Sequence, residues 1–257
     1  MPPDNWSMEP APVSAPSPVT PVDRLRWLDL LPVLVFAILG LVMVFAVLLG
    51  IARSSRAFYR ANAETLSLLA TLAVYLAVGA GIVVALRRLR SPLQYLRLRW
   101  PTARDLGLSA LLLVPWYLGI ALVSSLSSVI LNGGHLVPGN SRLVFIQRPH
   151  GVGLLLLALL VTAVAAPICE ELFFRGMLFR LLGERTFLSV AVIISGLAFG
   201  LAHASPAVSL ALLPTFVFMG IVLALVYVRT GWLTNSMLLH GLNNALVTIL
   251  AFNVAVH

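Results

Sequence analysis

The sequence predicts an all-α fold: a polytopic transmembrane helical bundle of about seven spans. Three observations predict it. Of 257 residues, 60% are hydrophobic and only 10% are charged, where a soluble domain carries about a quarter. Several stretches exceed the roughly 18 consecutive apolar residues that mark a helix able to cross a bilayer. The few ionisable groups inside those stretches are concentrated in the C-terminal part of the chain.

The chain divides into a proline-rich tail (1–26), three spans with their loops (27–149) and a C-terminal set of four spans (150–257). Residues 1–22 hold seven of the sixteen prolines and almost no large apolar side chain, a composition that cannot bury a core. The tail lacks the basic, apolar, small-residue order of a cleaved signal peptide. Span one is expected at about Leu28–Ala52 and span two at about Thr65–Leu86. The next loop sets six arginines (Arg87, Arg88, Arg90, Arg97, Arg99, Arg104) against Asp105 alone. Such a loop stays on the cytoplasmic side. Span three is expected at about Leu106–Leu131, followed by a polar connection from Asn132 to His150.

Span four occupies about Gly151–Leu182 and span five about Phe187–His203, with Pro206 marking its end. Gly196 and Gly200 form a small-xxx-small pattern that lets helices approach closely. Span six is expected at about Val208–Val228 with Pro214 inside it. The turn Arg229-Thr230-Gly231 then leads to span seven, about Trp232–Val256. Seven spans with the arginine-rich loop inside place the N-terminus in the cytoplasm. The inside count is then eleven arginines against five outside, the expected bias.

All 17 basic residues are arginine and the net charge is +8. The arginines flank spans, so membrane lipid is the expected partner. No aromatic-interleaved basic stretch resembles a nucleic-acid module. The lysine-free composition fits a high-GC bacterium and hence an inner (plasma) membrane. Cys169, the only cysteine, excludes an intrachain disulfide and a cysteine metal cluster. It has no base at helical spacing other than acids, and buried cysteine commonly acts as a small hydrophobe.

Span four carries Glu170, Glu171 and Arg175 in an otherwise apolar run. Charged groups at that depth cost roughly 2.5–3.5 kcal/mol each on insertion scales, which makes them a functional-site hypothesis. Glu171 and Arg175 are four apart with the acid first, the favourable order for a helical ion pair. Glu170 points about 100° away, toward something else. Pro167 removes a backbone donor, which predicts a kink just before the acids. Span five adds Phe199 and His203, and span seven adds His240, Asn243 and Asn244.

At 1.5 Å per residue, Glu170 lies about 18 Å, His203 about 24 Å and His240 about 12–14 Å from their inner span ends. All lie within a hydrocarbon core of about 30 Å, and ordinary tilts of about 20° can bring them to one level. A desolvated glutamate suits a general base. An imidazole beside an amide, as His240 and Asn244 on one face, can hold an oxyanion. Each piece alone has a plainer use: a register-fixing ion pair, or an interhelical hydrogen bond. Buried Glu, Arg and His also build proton relays, so a proton-coupled carrier is an alternative, as is a non-catalytic scaffold or immunity protein. No internal repeat of the transporter kind is present.

The pieces fall into three ordered motifs: Glu170-Glu171-Leu172-Phe173-Phe174-Arg175, Phe199-Gly200-Leu201-Ala202-His203, and His240-Gly241-Leu242-Asn243-Asn244. They resemble the EExxxR, FxxxH and HxxxN motifs of the CAAX prenyl endopeptidase and bacteriocin-processing (CPBP, or Abi) family of intramembrane proteases. The resemblance covers about residues 150–250. It implies a four-helix catalytic core and a cavity open toward the cytoplasm and bilayer. It also implies an endopeptidase acting on a membrane-anchored, lipidated or CAAX-like peptide. In that scheme Glu170 activates water, His203 helps position it, and His240 and Asn244 stabilise the oxyanion. Glu171, Arg175, Phe199 and Asn243 support them. No cofactor is the favoured expectation. The alternative is Zn2+ on Glu170, His203 and His240, a reasonable donor count, although the sequence lacks an HExxH helix.

Overall fold

The computed structural model describes residues 24–131, 133–135, 151–204 and 210–254. Among these, every regular element is helical. The proline-rich residues 1–23 and most of the connection 132–150 lie outside them, as do Pro206, His150 and His257. Helices α1 (Leu31–Ser54), α2 (Arg56–Ala61) and α3 (Ala63–Leu86) come first, then a single turn α4 (Pro92–Tyr95) and the long α5 (Ala103–Leu131). The glutamate helix α6 spans Val152–Gly183. It is followed by α7 (Leu188–Ala202), α8 (Leu213–Thr230) and α9 (Leu233–Val254).

Seven long helices match the expected spans to within a few residues at most ends. Five of the described stretches, those containing α1, α3, α5, α6 and α8, are long and apolar enough to cross a membrane. The other two have reasons for falling short. Helix α7 has only 15 residues. Helix α9 carries Thr234, Asn235, Ser236, His240 and Asn243, all buried, so its polar groups face protein rather than lipid. By contrast, Val33 is the one buried residue of α1. An apolar helix with so little protein cover belongs in lipid, and the chain is an integral membrane protein.

Pro214 lies inside span six, as expected, in the first turn of α8, after the 3-10 turn Leu210–Leu212. A first-turn proline loses no helical hydrogen bond, and its fixed φ favours that position. The close approach expected of Gly196 is present. A Cβ on Gly220 of α8 would lie 2.8 Å from the Gly196 carbonyl oxygen of α7.

Several arginines tie one end of the bundle together. Arg88 pairs with Asp29, and Arg185 donates to the Leu25 carbonyl. Arg180 lies 4.1 Å over the Tyr95 ring, and the Leu233 amide donates to the Arg97 carbonyl. These contacts join the start of α1, the end of α3, the α4 segment, the end of α6 and the start of α9 at one end of the bundle. Burial pushes the Tyr95 phenol up to about 12, and the neighbouring Glu184 carboxylate adds to it. A cavity of about 570 Å³ opens at this end between Leu93, Arg97, Arg99 and Trp232. None of the predicted site residues lines it.

Candidate active site

Helix α6 departs from regular α-helix on both sides of the acids. Its turns widen to π-helical geometry over Leu160–Ala165 and again over Leu172–Phe179. Pro167 has no N–H, so the carbonyl of Ala163 loses its helical donor. The helix accommodates this with an i→i−5 bond, Ala166 N–H to Val161 O. The two acids sit in the α-helical piece between the π segments, Ala166–Glu171. Insertions of this kind are frequent at functional sites.

The expected ion pair is present and fully buried. Arg175 Nη1 donates to Glu171 Oε1 at 2.7 Å, with both side chains 0% exposed. Arg175 Nη2 donates to the Gly220 carbonyl at 2.7 Å, and the guanidinium lies 4.6 Å over the Phe199 ring. Glu171 also accepts from Ser236 Oγ of α9 and lies 3.1 Å from His240 Nδ1. Its role is thus wider than pairing with Arg175: it fixes the ring of His240. A carboxylate in an ion pair accepts hydrogen bonds, so Nδ1 of His240 carries the proton toward it.

Glu170 faces the other way, as its helical phase requires. Its Oε2 lies 3.8 Å from His203 Nε2 and 3.9 Å from His240 Nε2. Oε2 has no hydrogen-bond partner among the described residues. Oε1 accepts from the Tyr75 hydroxyl of α3. Side-chain exposure is 14% for Glu170 and 16% for His203, against 0% for Glu171 and Arg175, although Glu170 Oε2 itself is buried. His203 caps the end of α7. Its Nδ1 lies 2.8 Å from the Phe199 carbonyl oxygen, which can only accept, so Nδ1 holds the hydrogen and, in the neutral ring, Nε2 is a lone pair aimed at Glu170. Phe199 and Phe216 flank the ring, each with centroids 4.6 Å away.

The Asn pair carries structural hydrogen bonds. Asn244 Nδ2 donates to the Thr162 carbonyl at 2.8 Å, inside the first π segment. Asn244 Oδ1 accepts from Asn243 Nδ2 at 3.0 Å, and Asn243 Oδ1 accepts from Trp116 Nε1 of α5 at 2.9 Å. One Asn244 N–H is therefore committed to holding the π turn. Asn243 ties α5 to the core.

Six participants carry no motif: Tyr75, Trp116, Thr162, Phe216, Gly220 and Ser236. Tyr75 could have been found by the depth comparison. It lies about 16–17 Å from the end of α3 at Leu86, the level computed for Glu170.

For a metal, Glu170, His203 and His240 offer a chemically apt donor set. Two donors on one tetrahedral zinc lie about 3.3 Å apart, given bonds of about 2.0–2.1 Å. The separations here are 3.8 and 3.9 Å. Among the described residues, no three His, Cys, Asp or Glu side chains are grouped to hold a metal ion.

Fold and site together define a class: a polytopic helical membrane protein with a Glu–His–His cluster between three of its helices. Comparison with known proteins narrows it. Residues 152–246 match the family model described as type II CAAX prenyl endopeptidase Rce1-like. A stretch of 94 residues is 33% identical to YdiL of Bacillus subtilis (strain 168), a candidate membrane peptidase. That match covers 37% of this chain and 37% of the relative's length. No solved structure matches the chain. The matched segment, 152–246, holds all three motifs, and its similarity is to a type II CAAX prenyl endopeptidase family model and to a membrane peptidase, in line with the resemblance that the motifs carry.

Proposed function

We propose that the chain is an intramembrane endopeptidase in which Glu170 activates water. The observation that carries this reading is the geometry at Glu170 Oε2: it faces two imidazole Nε2 atoms at 3.8 and 3.9 Å. Those spacings are too long for direct hydrogen bonds, and one water admitted beside the three groups would hydrogen-bond to them together. Water donating one hydrogen to Glu170 Oε2 and the other to His203 Nε2 turns its lone pair outward. The water oxygen attacks the peptide carbonyl carbon, the C=O pair moves onto oxygen, and Glu170 takes the proton. The C–N bond then breaks, and the Glu170 proton goes to the leaving amine. His240, when protonated, donates Nε2–H to the oxyanion with Glu171 as counter-charge. The remaining N–H of Asn244 is a second candidate donor.

The mechanism is metal-independent, a reading supported by the donor spacings. The substrate class is a membrane-anchored peptide, lipidated or CAAX-like, because the site lies within apolar helices and the matching family is described by CAAX prenyl endopeptidase activity. The arginine-rich end faces the cytoplasm of a bacterial inner membrane, with the N-terminus on that side, as the arginine bias supports.

The test is cleavage. Wild type and Glu170→Gln are purified in detergent and incubated with a farnesylated Cys-aliphatic-aliphatic-X peptide and a library of membrane-anchored peptides, read by mass spectrometry. Wild type is expected to cleave and Glu170→Gln to lose at least about 100-fold in rate. Equal cleavage by folded Glu170→Gln, or none by folded wild type, overturns the proposal and favours a carrier or scaffold.

A further inference from the structure

The family match begins at residue 152, yet one contact to the reacting carboxylate comes from outside it. Tyr75, in the middle of α3, donates its hydroxyl to Glu170 Oε1. A second bond fixes the same pair of helices: Cys169 Sγ–H donates to the Tyr75 carbonyl at 3.3 Å. A Cβ on Gly79, one turn along α3, would stand at ordinary contact distance from Cys169 Sγ, 3.7 Å. The backbone of α3 is thus registered against α6 at the residue preceding Glu170.

The consequence is geometric. A glutamate carboxyl rotates over a broad range about its last torsion. Glu170 accepts no side-chain hydrogen bond from α6 among the described residues, and its Oε2 accepts none at all among them. The Tyr75 hydroxyl supplies the hydrogen bond that decides which oxygen faces His203 and His240. A charge-assisted bond to one oxygen also leaves the other as the acceptor for a water proton.

We propose that Tyr75 is the positioning residue of Glu170, so that the working site of this chain is completed by α3 and not by residues 152–246 alone. The proposal rests on Glu170 being the reacting group. Tyr75 acts through it and touches no substrate atom.

The experiment uses the full chain. Tyr75→Phe removes one oxygen and keeps the ring. Its kcat on the peptide that wild type cleaves is expected to fall about 10- to 100-fold, the range for losing one hydrogen bond to a charged group. KM is expected to stay within about twofold and the thermal midpoint unchanged, a split that damaged packing would not give. Tyr117→Phe of α5 is the matched control, because the Tyr117 hydroxyl has no partner among the described residues; it is expected to keep wild-type kcat. An activity-independent readout is the infrared carboxyl band that Glu170→Gln removes, which is expected to shift in Tyr75→Phe. A wild-type kcat in Tyr75→Phe with Glu170→Gln inactive overturns the proposal and leaves the protease reading standing. If wild type cleaves nothing, the protease reading fails, and an unmoved carboxyl band overturns the Tyr75 contact as well.

Discussion

Arg175→Ala is the most informative test of how the core is held. The substitution strands Glu171, whose side chain is 0% exposed, by removing its cation at 2.7 Å. Breaking a buried pair by deleting one partner costs about 3–5 kcal/mol, mostly because the remaining charge is uncompensated. The Gly220 carbonyl loses its donor too, which on its own costs about 1–3 kcal/mol. The two losses share one guanidinium, so the larger range is the expectation. Over a chain this size about 1 kcal/mol corresponds to about 2–4 °C in Tm, so a drop of about 10 °C is expected in detergent. Thermal unfolding followed by tryptophan fluorescence measures it. The double variant Glu171→Gln with Arg175→Met removes both charges and is expected to regain much of the stability. It should stay inactive, because His240 Nδ1 loses its carboxylate partner. An Arg175→Ala protein with wild-type Tm would refute the reasoning, since Glu171 would then need no cation.

Two further outcomes follow from the same geometry. In Gly241→Ala, the added Cβ would lie 2.8 Å from the Ala163 carbonyl oxygen; forcing the helices apart there costs about 1–3 kcal/mol, and activity is expected to fall further than Tm does, checked by parallel cleavage and unfolding assays. Exhaustive chelation of wild type is expected to leave cleavage within about twofold of the untreated protein, and restoration by zinc after a chelator-induced loss would show the metal-independent route to be wrong.

What could be read from the sequence follows from what lipid tolerates. Glu170, Glu171, Arg175, His203, His240 and Asn244 stood out because each is expensive in an apolar span. Helical spacing gave the Glu171–Arg175 pair and the divergence of Glu170, and the depth argument allowed the meeting of three helices. Tyr75 and Trp116 did not stand out because their bodies are apolar and only their tips are polar, so neither disturbs a hydrophobic run. Phe216, wholly apolar, reads as an ordinary core residue. The start of span six was set early because Leu210–Leu212 are as apolar as the residues after them; only the backbone distinguishes a 3-10 turn from the helix proper. Seven spans were countable, but the sequence could not show that α1 is left almost uncovered while α9 buries its polar face, since that depends on which neighbours cover them.

Pro167 was legible as a kink, but its consequence was not, and that consequence links the fold to the chemistry. Losing the proline N–H frees the Ala163 carbonyl, and the π turn displaces Thr162 from regular bonding as well. Helix α9 meets both carbonyls. Asn244 donates to Thr162, and Gly241, having no Cβ, lets its backbone close on Ala163. These two contacts lie four and one residues beyond His240 and set how near α9 comes to α6. They bring His240 Nε2 to 3.9 Å from Glu170 while its Nδ1 rests on Glu171. The third motif therefore does two jobs on this structure: its histidine faces the reaction, and its glycine and asparagine fasten the helix that holds it. A substitution at Asn244 should then act partly through the position of His240, which separates it from a simple loss of oxyanion contact. Asn244→Asp keeps the size but offers no amide donor to Thr162, whereas Asn244→Gln keeps the donor on a longer arm. If fastening dominates, Asn244→Gln retains more stability than Asn244→Asp, and activity follows stability across the two.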